Sequence, residues 1–300
     1  MEFKSGFVTI IGDTNVGKST LINRLVGEKV AIVSPKSQTS RDNTIGVYND
    51  ENSQIVFIDT PGYHKTQHKL DEYMQKNIDD ASEDVDVLVF LIDGKKDLIE
   101  QYEKLNKAKG KHEARKILCI NKIDESSFEK MYPKLDALNK VCKTDEILPI
   151  SALKGTNVDV LINMIKKYLP SYEFEMRYYP VEQFTDKNVR YLSAEIIREK
   201  ILLIYEDEIP HGVAVQITQF NEDESQTYIS ADIYCERENH KAIILGHKGD
   251  KIKQLSTMSR MAIEKMLDCK VYLDLFVKVK ANWRVDNLML EEFGYSNKNE

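Results

Sequence analysis

Residues Gly12-Asp13-Thr14-Asn15-Val16-Gly17-Lys18-Ser19 satisfy the spacing G-x-x-x-x-G-K-[ST], and no other feature constrains the chain as tightly. Such a loop presents its backbone N–H groups as a concave anion site only when a buried strand holds one end and a helix amino terminus the other. Both neighbours are there. Phe7-Val8-Thr9-Ile10-Ile11 reads as the strand, and residues 19–26 read as a helix with Leu21, Ile22, Leu25 and Val26 on one face. Lys18 adds a point charge for phosphates, and Ser19, followed by Thr20, offers a hydroxyl to a Mg2+ ion shared with them.

Short apolar runs at 54–59, 87–93, 116–121 and 147–150 alternate with helical segments. That alternation predicts an α/β domain built on a doubly wound, mostly parallel sheet, with ligands at the carboxyl ends of its strands. Polar motifs sit at those ends. Asp59-Thr60-Pro61-Gly62 ends one run: Asp59 would hold Mg2+ through water, and the Gly62 N–H would meet a γ-phosphate oxygen. Tyr63 follows, where many regulatory GTPases carry a water-orienting glutamine. Asn121-Lys122-Ile123-Asp124 and Ser151-Ala152-Leu153 end two other runs and together read as a guanine pocket. A buried Asp124 carboxylate would accept the base's N1–H and exocyclic amine, a pairing that can reject adenine by ~10⁴. Asn121 and Lys122 would brace the loop and cover the base. Residues 34–46 are polar and read as an exposed, mobile loop, and His64 and His68 read as solvated histidines rather than metal ligands.

A chain of 300 residues has room for two domains, and a net charge of −7 argues against nucleic acid until its distribution is read. Residues 206–236 hold eight acids and no Lys or Arg, whereas residues 237–284 carry a charge of +6. A basic face on an acidic domain is the expectation. Within the basic stretch Gly246-His247-Lys248-Gly249 opens a helix over 251–267, after a hairpin over 213–221 and 226–237 and an amphipathic helix over 191–205. The two glycines would let a sugar-phosphate backbone approach, with Lys248, Lys251 and Lys253 facing phosphates. Four separated cysteines make no C-x-x-C pair, and no apolar run reaches membrane-span length. A soluble chain in a reducing cytoplasm is expected, with a peripheral membrane visit left open.

On these motifs the chain resembles the Era-like family of bacterial GTPases along nearly its whole length. The resemblance implies a GTPase domain over 1–172, a linker over 173–182 and a KH domain of the bacterial type (type II) over 183–300. It implies a monomer that hydrolyses GTP to GDP with Mg2+, binds the 3′ end of small-subunit ribosomal RNA and acts on the small ribosomal subunit. Lys18, Ser40 and Gly62 would stand nearest the chemistry, and no side-chain base is evident. Residues 278–284 resemble the family's closing strand and basic tail, with Trp283 either an anchor or a base-stacking ring. Asn15 matches an asparagine that related GTPases use to hold K+. Two positions depart from the pattern: Asp13-Thr14 stands where Arg-Pro is common, and Thr39-Ser40-Arg41 where Thr-Thr-Arg is usual, so the Mg2+ role falls to Ser40 with Thr39 as alternative. Two other readings stay open, an RNA-binding scaffold that holds GTP without turnover and an RNA-modification GTPase that needs a partner.

Overall fold

Strands β1 (Phe3–Ile11), β4 (Val87–Asp93) and β5 (Arg115–Asn121) each carry an apolar run, longest in β4, and form the parallel centre of a sheet. The structure, a computed structural model, describes residues 2–36, 39–62, 68–109, 112–223 and 225–295. Around the centre lie β2 (Thr44–Asn49), β3 (Ser53–Asp59) and β6 (Glu146–Pro149), in the order β2-β3-β1-β4-β5-β6. All neighbours are parallel except β2 with β3, and β7 (Ser171–Tyr172) adds a short antiparallel pair to the start of β1. Helices cover both faces, which is why the central strands lack a polar side. Val87, Val89 and Leu91 pack toward α1 (Lys18–Val26) and α5 (Val158–Tyr168). Leu88, Phe90 and Ile92 pack toward α3 (Leu98–Lys109) and α4 (Phe128–Val141), with Ile78 of α2 (Lys69–Asp80). The register pairs Ile10 with Asp59, Asp93 with Asn121 and Ile120 with Pro149, so the polar motifs share one edge of the sheet.

The chain falls into two compact units, and their borders differ from the expected ones. The first takes the described residues of Met1–Ala31, Ser40–His64 and Gln75–Asp186, and the second those of Ile32–Thr39, Lys65–Met74 and Lys187–Glu300. The stretch expected as a linker, 173–182, therefore runs along the first unit. Its backbone satisfies Gln54 of β3, whose Oε1 accepts from the Tyr178 and Tyr179 N–H at 2.7 and 3.0 Å, and just beyond it the Phe184 carbonyl accepts from Val47 N–H at 2.9 Å. Residues 44–46 are strand rather than mobile loop, because β2 pairs with β3 from Thr44 opposite Asp59 onward. Arg41, expected in the same exposed loop, is buried.

In the second unit β9 (Gln226–Cys235) is central, with β8 (Ala214–Glu222) antiparallel on one side and β10 (Lys270–Val279) parallel on the other. Helices α6 (Val189–Ile204) and α8 (Asp250–Leu267) cover this sheet through Ile196, Ile197, Ile201, Leu255 and Ile263. A short helix, α7 (Glu238–Leu245), precedes the glycine loop and has no counterpart in the sequence expectation. The segment 32–39 is tied to α6: Val33 N–H donates to Glu199 Oε1 at 3.0 Å, and the buried Arg198 guanidinium donates to the Thr39 carbonyl. A separate apolar cluster joins Leu70, Tyr73 and Met74 to Trp283 and to Leu290 of α9 (Asn287–Glu292).

Candidate nucleotide site and RNA-binding loop

At the end of β1 the chain turns so tightly that a side chain at Gly12 would meet the Leu91 carbonyl. Asn15 and Gly17 then take left-handed conformations, with φ of 62° and 101°, and a side chain at Gly17 would fall on the Asn121 amide. The loop ends on the amino terminus of α1, with Lys18 as the first helical residue. The Lys18 ammonium is buried and donates to the carbonyls of Gly12 and Asp13, both at 3.0 Å. Burial lowers its pKa to about 8, against the opposing pull of Asp59 and Asp13. The Asp13 carboxylate pairs with the Lys104 ammonium of α3.

Ser19, Ser40 and Asp59 converge. Ser19 Oγ donates to Asp59 Oδ2 at 2.8 Å, Ser40 Oγ donates to the same oxygen at 3.2 Å, and the two hydroxyls lie 2.9 Å apart. The other carboxylate oxygen of Asp59 is buried without a hydrogen-bond partner among the described residues, and burial pushes this carboxyl above its usual range. Two hydroxyls, one carboxylate and an unpaired buried oxygen fit a small hard cation such as Mg2+. Among the described residues no group of three His, Cys, Asp or Glu offers a site for a softer metal. Thr39, the alternative to Ser40, turns its hydroxyl to the Lys36 carbonyl at 2.7 Å and takes no part in the cluster. After Asp59, Thr60 donates to the Ile10 carbonyl at 2.9 Å, Pro61 is buried, and Gly62 lies so close to Thr14 that a side chain would sit 2.9 Å from its nitrogen. Tyr63 and His64 lie outside the described residues.

Asn121 joins the loops: its Nδ2 donates to the Val16 carbonyl at 2.8 Å and its Oδ1 accepts from Ala152 N–H at 2.9 Å. Lys122 donates to the Asn15 carbonyl and to Asp93 Oδ2, each at 2.7 Å. Ile123 N–H reaches the Ile150 carbonyl at 3.3 Å. Asp124 takes a 2.5 Å hydrogen bond from Ser151 Oγ, but it is exposed rather than buried, which corrects the expectation. It stands at the open mouth of the pocket, so a base laid over it would have to supply its desolvation. Leu153 beside it is 62% exposed, and Ala152 is buried. Sequence reasoning missed three supporting residues: Asp93, which fixes Lys122; Arg24, which donates to the Leu153 carbonyl at 2.6 Å; and Lys104. Only Asp93 left a trace, as the acid ending an apolar strand.

In the second unit the loop Gly246-His247-Lys248-Gly249 joins α7 to α8, with φ of 74°, 51° and 80° at Gly246, Lys248 and Gly249. A side chain at Gly246 would strike the Asp250 carboxylate and Lys251, whereas at Gly249 the nearest side-chain atom is 3.8 Å away on Ile252. His247, Lys248, Lys251 and Lys253 are exposed, so the loop and the first turn of α8 present basic groups with little side-chain bulk on the backbone. Trp283 is fully buried and donates through Nε1 to the Gly212 carbonyl at 3.0 Å. It is the anchor; stacking on a base is ruled out by its burial.

A G-x-x-x-x-G-K-S loop set between strand and helix, with the Ser19–Ser40–Asp59 cluster and the Asn121 and Ser151 loops beside it, followed by a KH fold, defines the class: a P-loop GTPase with a carboxyl-terminal RNA-binding module. Family models agree, a "50S ribosome-binding GTPase" matching residues 7–122 and a "KH domain" matching residues 208–284. GTPase Era of Clostridium botulinum is 45% identical over 303 residues, covering 98% of this chain and 99% of its own, and GTPase Era of Clostridium beijerinckii is 42% identical over 98% of each. A crystal structure of Era in complex with MgGDPNP and nucleotides 1506–1542 of 16S ribosomal RNA superposes with a TM-score of 0.93 at 37% identity, covering 98% of this chain and 100% of that one. An Aquifex aeolicus Era variant bound to GDP.AlF4- gives 0.92 over the same share. The chain belongs to the Era family of GTPases.

Proposed function

We propose that this GTPase works as a nucleotide-controlled RNA-binding protein of small-subunit assembly, recognising single-stranded RNA at the 3′ end of the small-subunit ribosomal RNA. The convergence of Ser19, Ser40 and Asp59 carries the nucleotide half of this reading, because it brings a hydroxyl of the polar loop onto the carboxylate and the phosphate-loop hydroxyl that would hold a cation, so that loop would answer to the nucleotide. The glycine loop carries the RNA half. Gly12, Val16, Gly17 and the α1 amino terminus cradle the phosphates; Lys18 leaves the loop carbonyls for them; Asn121, Lys122, Asp124 and Ser151 to Leu153 hold guanine. Mg2+, when bound, supplies positive charge to the β- and γ-phosphates. The protein's part in hydrolysis is positioning: Lys18 and the backbone N–H groups of the loop and of Gly62 stabilise spreading phosphoryl charge. This reading places the protein in the cytoplasm, with RNA as its partner and a peripheral visit to the inner face of the cell membrane as a further contact; no described helix is long and apolar enough to cross a membrane.

The experiment is single-turnover GTP hydrolysis with and without an oligonucleotide of the ribosomal 3′ end. Turnover that responds to RNA is expected; binding without turnover in either condition would leave only a scaffold. We further propose that Asn15 helps hold K+ beside the phosphates, supported by its left-handed backbone and by the Lys122 hydrogen bond that fixes its carbonyl. Hydrolysis should then run faster in K+ than in Na+ at equal ionic strength and lose that difference in Asn15→Ala; equal rates in the two salts would dispose of the cation.

A further inference from the structure

Asp13 places a carboxylate in a loop where every other charged or dipolar group gathers for an anion. Left alone it would repel each phosphate oxygen brought to the loop, and a triphosphate more than a diphosphate, because the repulsion scales with the ligand's charge. Its field reaches the site, since Asp13 is one of the two acids that favour the Lys18 ammonium. The structure meets that carboxylate with Lys104, 91 residues further along on α3, which no phosphate-loop pattern includes. Lys104 is half-exposed and Asp13 only about a quarter exposed, so the acid faces its partner more than solvent. As a contribution to stability, a pair this open is worth little. Its place beside the loop is what matters.

We propose that Lys104 is a specificity-determining residue of the nucleotide site, cancelling the Asp13 charge so that the loop accepts a triphosphate. The inference rests on the assignment of residues 12–19 to nucleotide phosphates. Lys104 pairs with Asp13 and acts through it.

The test titrates fluorescent, non-hydrolysable GTP analogue and GDP against the full-length wild type, Lys104→Met, Asp13→Asn and the double variant. Each titration is run at ~50 mM and ~500 mM salt, where screening lengths differ about threefold. At low salt Lys104→Met should weaken analogue binding about five- to tenfold and GDP binding by about twofold. Asp13→Asn should bind at least as tightly as wild type, the double variant should return to within about twofold of it, and the losses should shrink at high salt. A Lys104→Met protein that binds both nucleotides as wild type does at low salt overturns the proposal, and so does a double variant as weak as Lys104→Met alone. A wild type that binds neither nucleotide would instead refute the assignment of the loop, which separates the two failures.

Discussion

At the residue scale the site is a set of groups held away from their ordinary states. Burial holds the pKa of the Lys18 ammonium down to about 8 instead of 10.5, so in the free protein this lysine gives up its proton far more readily than an exposed one. For the chain alone, a lysine depressed on folding adds stability above its unfolded value, and that contribution is lost as pH falls through about 8. Phosphates give the ammonium a partner and raise its pKa again, so binding should take up a proton and weaken as pH rises beyond about 8. Calorimetry near pH 8.5 in buffers of different ionisation enthalpy reads this directly: proton uptake in wild type, none in Lys18→Ala, and the same enthalpy in every buffer would contradict it. Asp124→Asn addresses the base. An amide replaces one acceptor by a donor, so guanine should lose at least tenfold in affinity while xanthine nucleotide gains; continued strong rejection of xanthine nucleotide would remove Asp124 from the pocket.

At the scale of elements, what the sequence made legible was contiguous and what it hid was distant. β1, β4 and β5 announce themselves because both faces are covered, and the phosphate-loop, Asn121–Asp124 and Ser151–Leu153 motifs because each is a short run on one turn. The short strand β2 contains Gly46 and owes its place to β3, so nothing local marks it. α7 buries only Ile244, too little for a periodic signal. Asp93, Lys104 and Arg24 support the site through partners 29, 91 and 129 residues away, which no local pattern reveals. The glycine loop shows the converse, since two glycines at fixed spacing announce a backbone that only the fold can confirm. With φ at 80°, Gly249 has room for a side chain but not the backbone for one. Gly249→Asp should therefore strain the loop and set a negative charge before RNA phosphates, lowering RNA affinity at least tenfold while GTP binding stays unchanged. Undiminished oligonucleotide binding in a filter assay would move the RNA site elsewhere.

At the scale of the whole molecule, the two units share the polar segments of the chain: 32–39 belongs with α6, and Ser40, one bond further, belongs with Ser19 and Asp59. If GTP raises RNA affinity by some factor, RNA must raise GTP affinity by the same factor, with a coupling of ~1–3 kcal/mol expected. Titrations of a labelled ribosomal 3′-end oligonucleotide with GTP analogue or GDP give one arm, and analogue titrations with and without the oligonucleotide give the other. Equal RNA affinity in both nucleotide states would mean two tethered modules and no switch. Trp283 adds something of a different kind. It is the chain's single tryptophan, shielded from solvent and packed edge-on against Phe293 at 5.4 Å. Selectively excited indole emission therefore reports on the second unit alone, blue-shifted while the tail is docked and red-shifted once water reaches the ring. The first unit is dark in that channel, so the protein carries an intrinsic optical label that distinguishes melting of one half from melting of both.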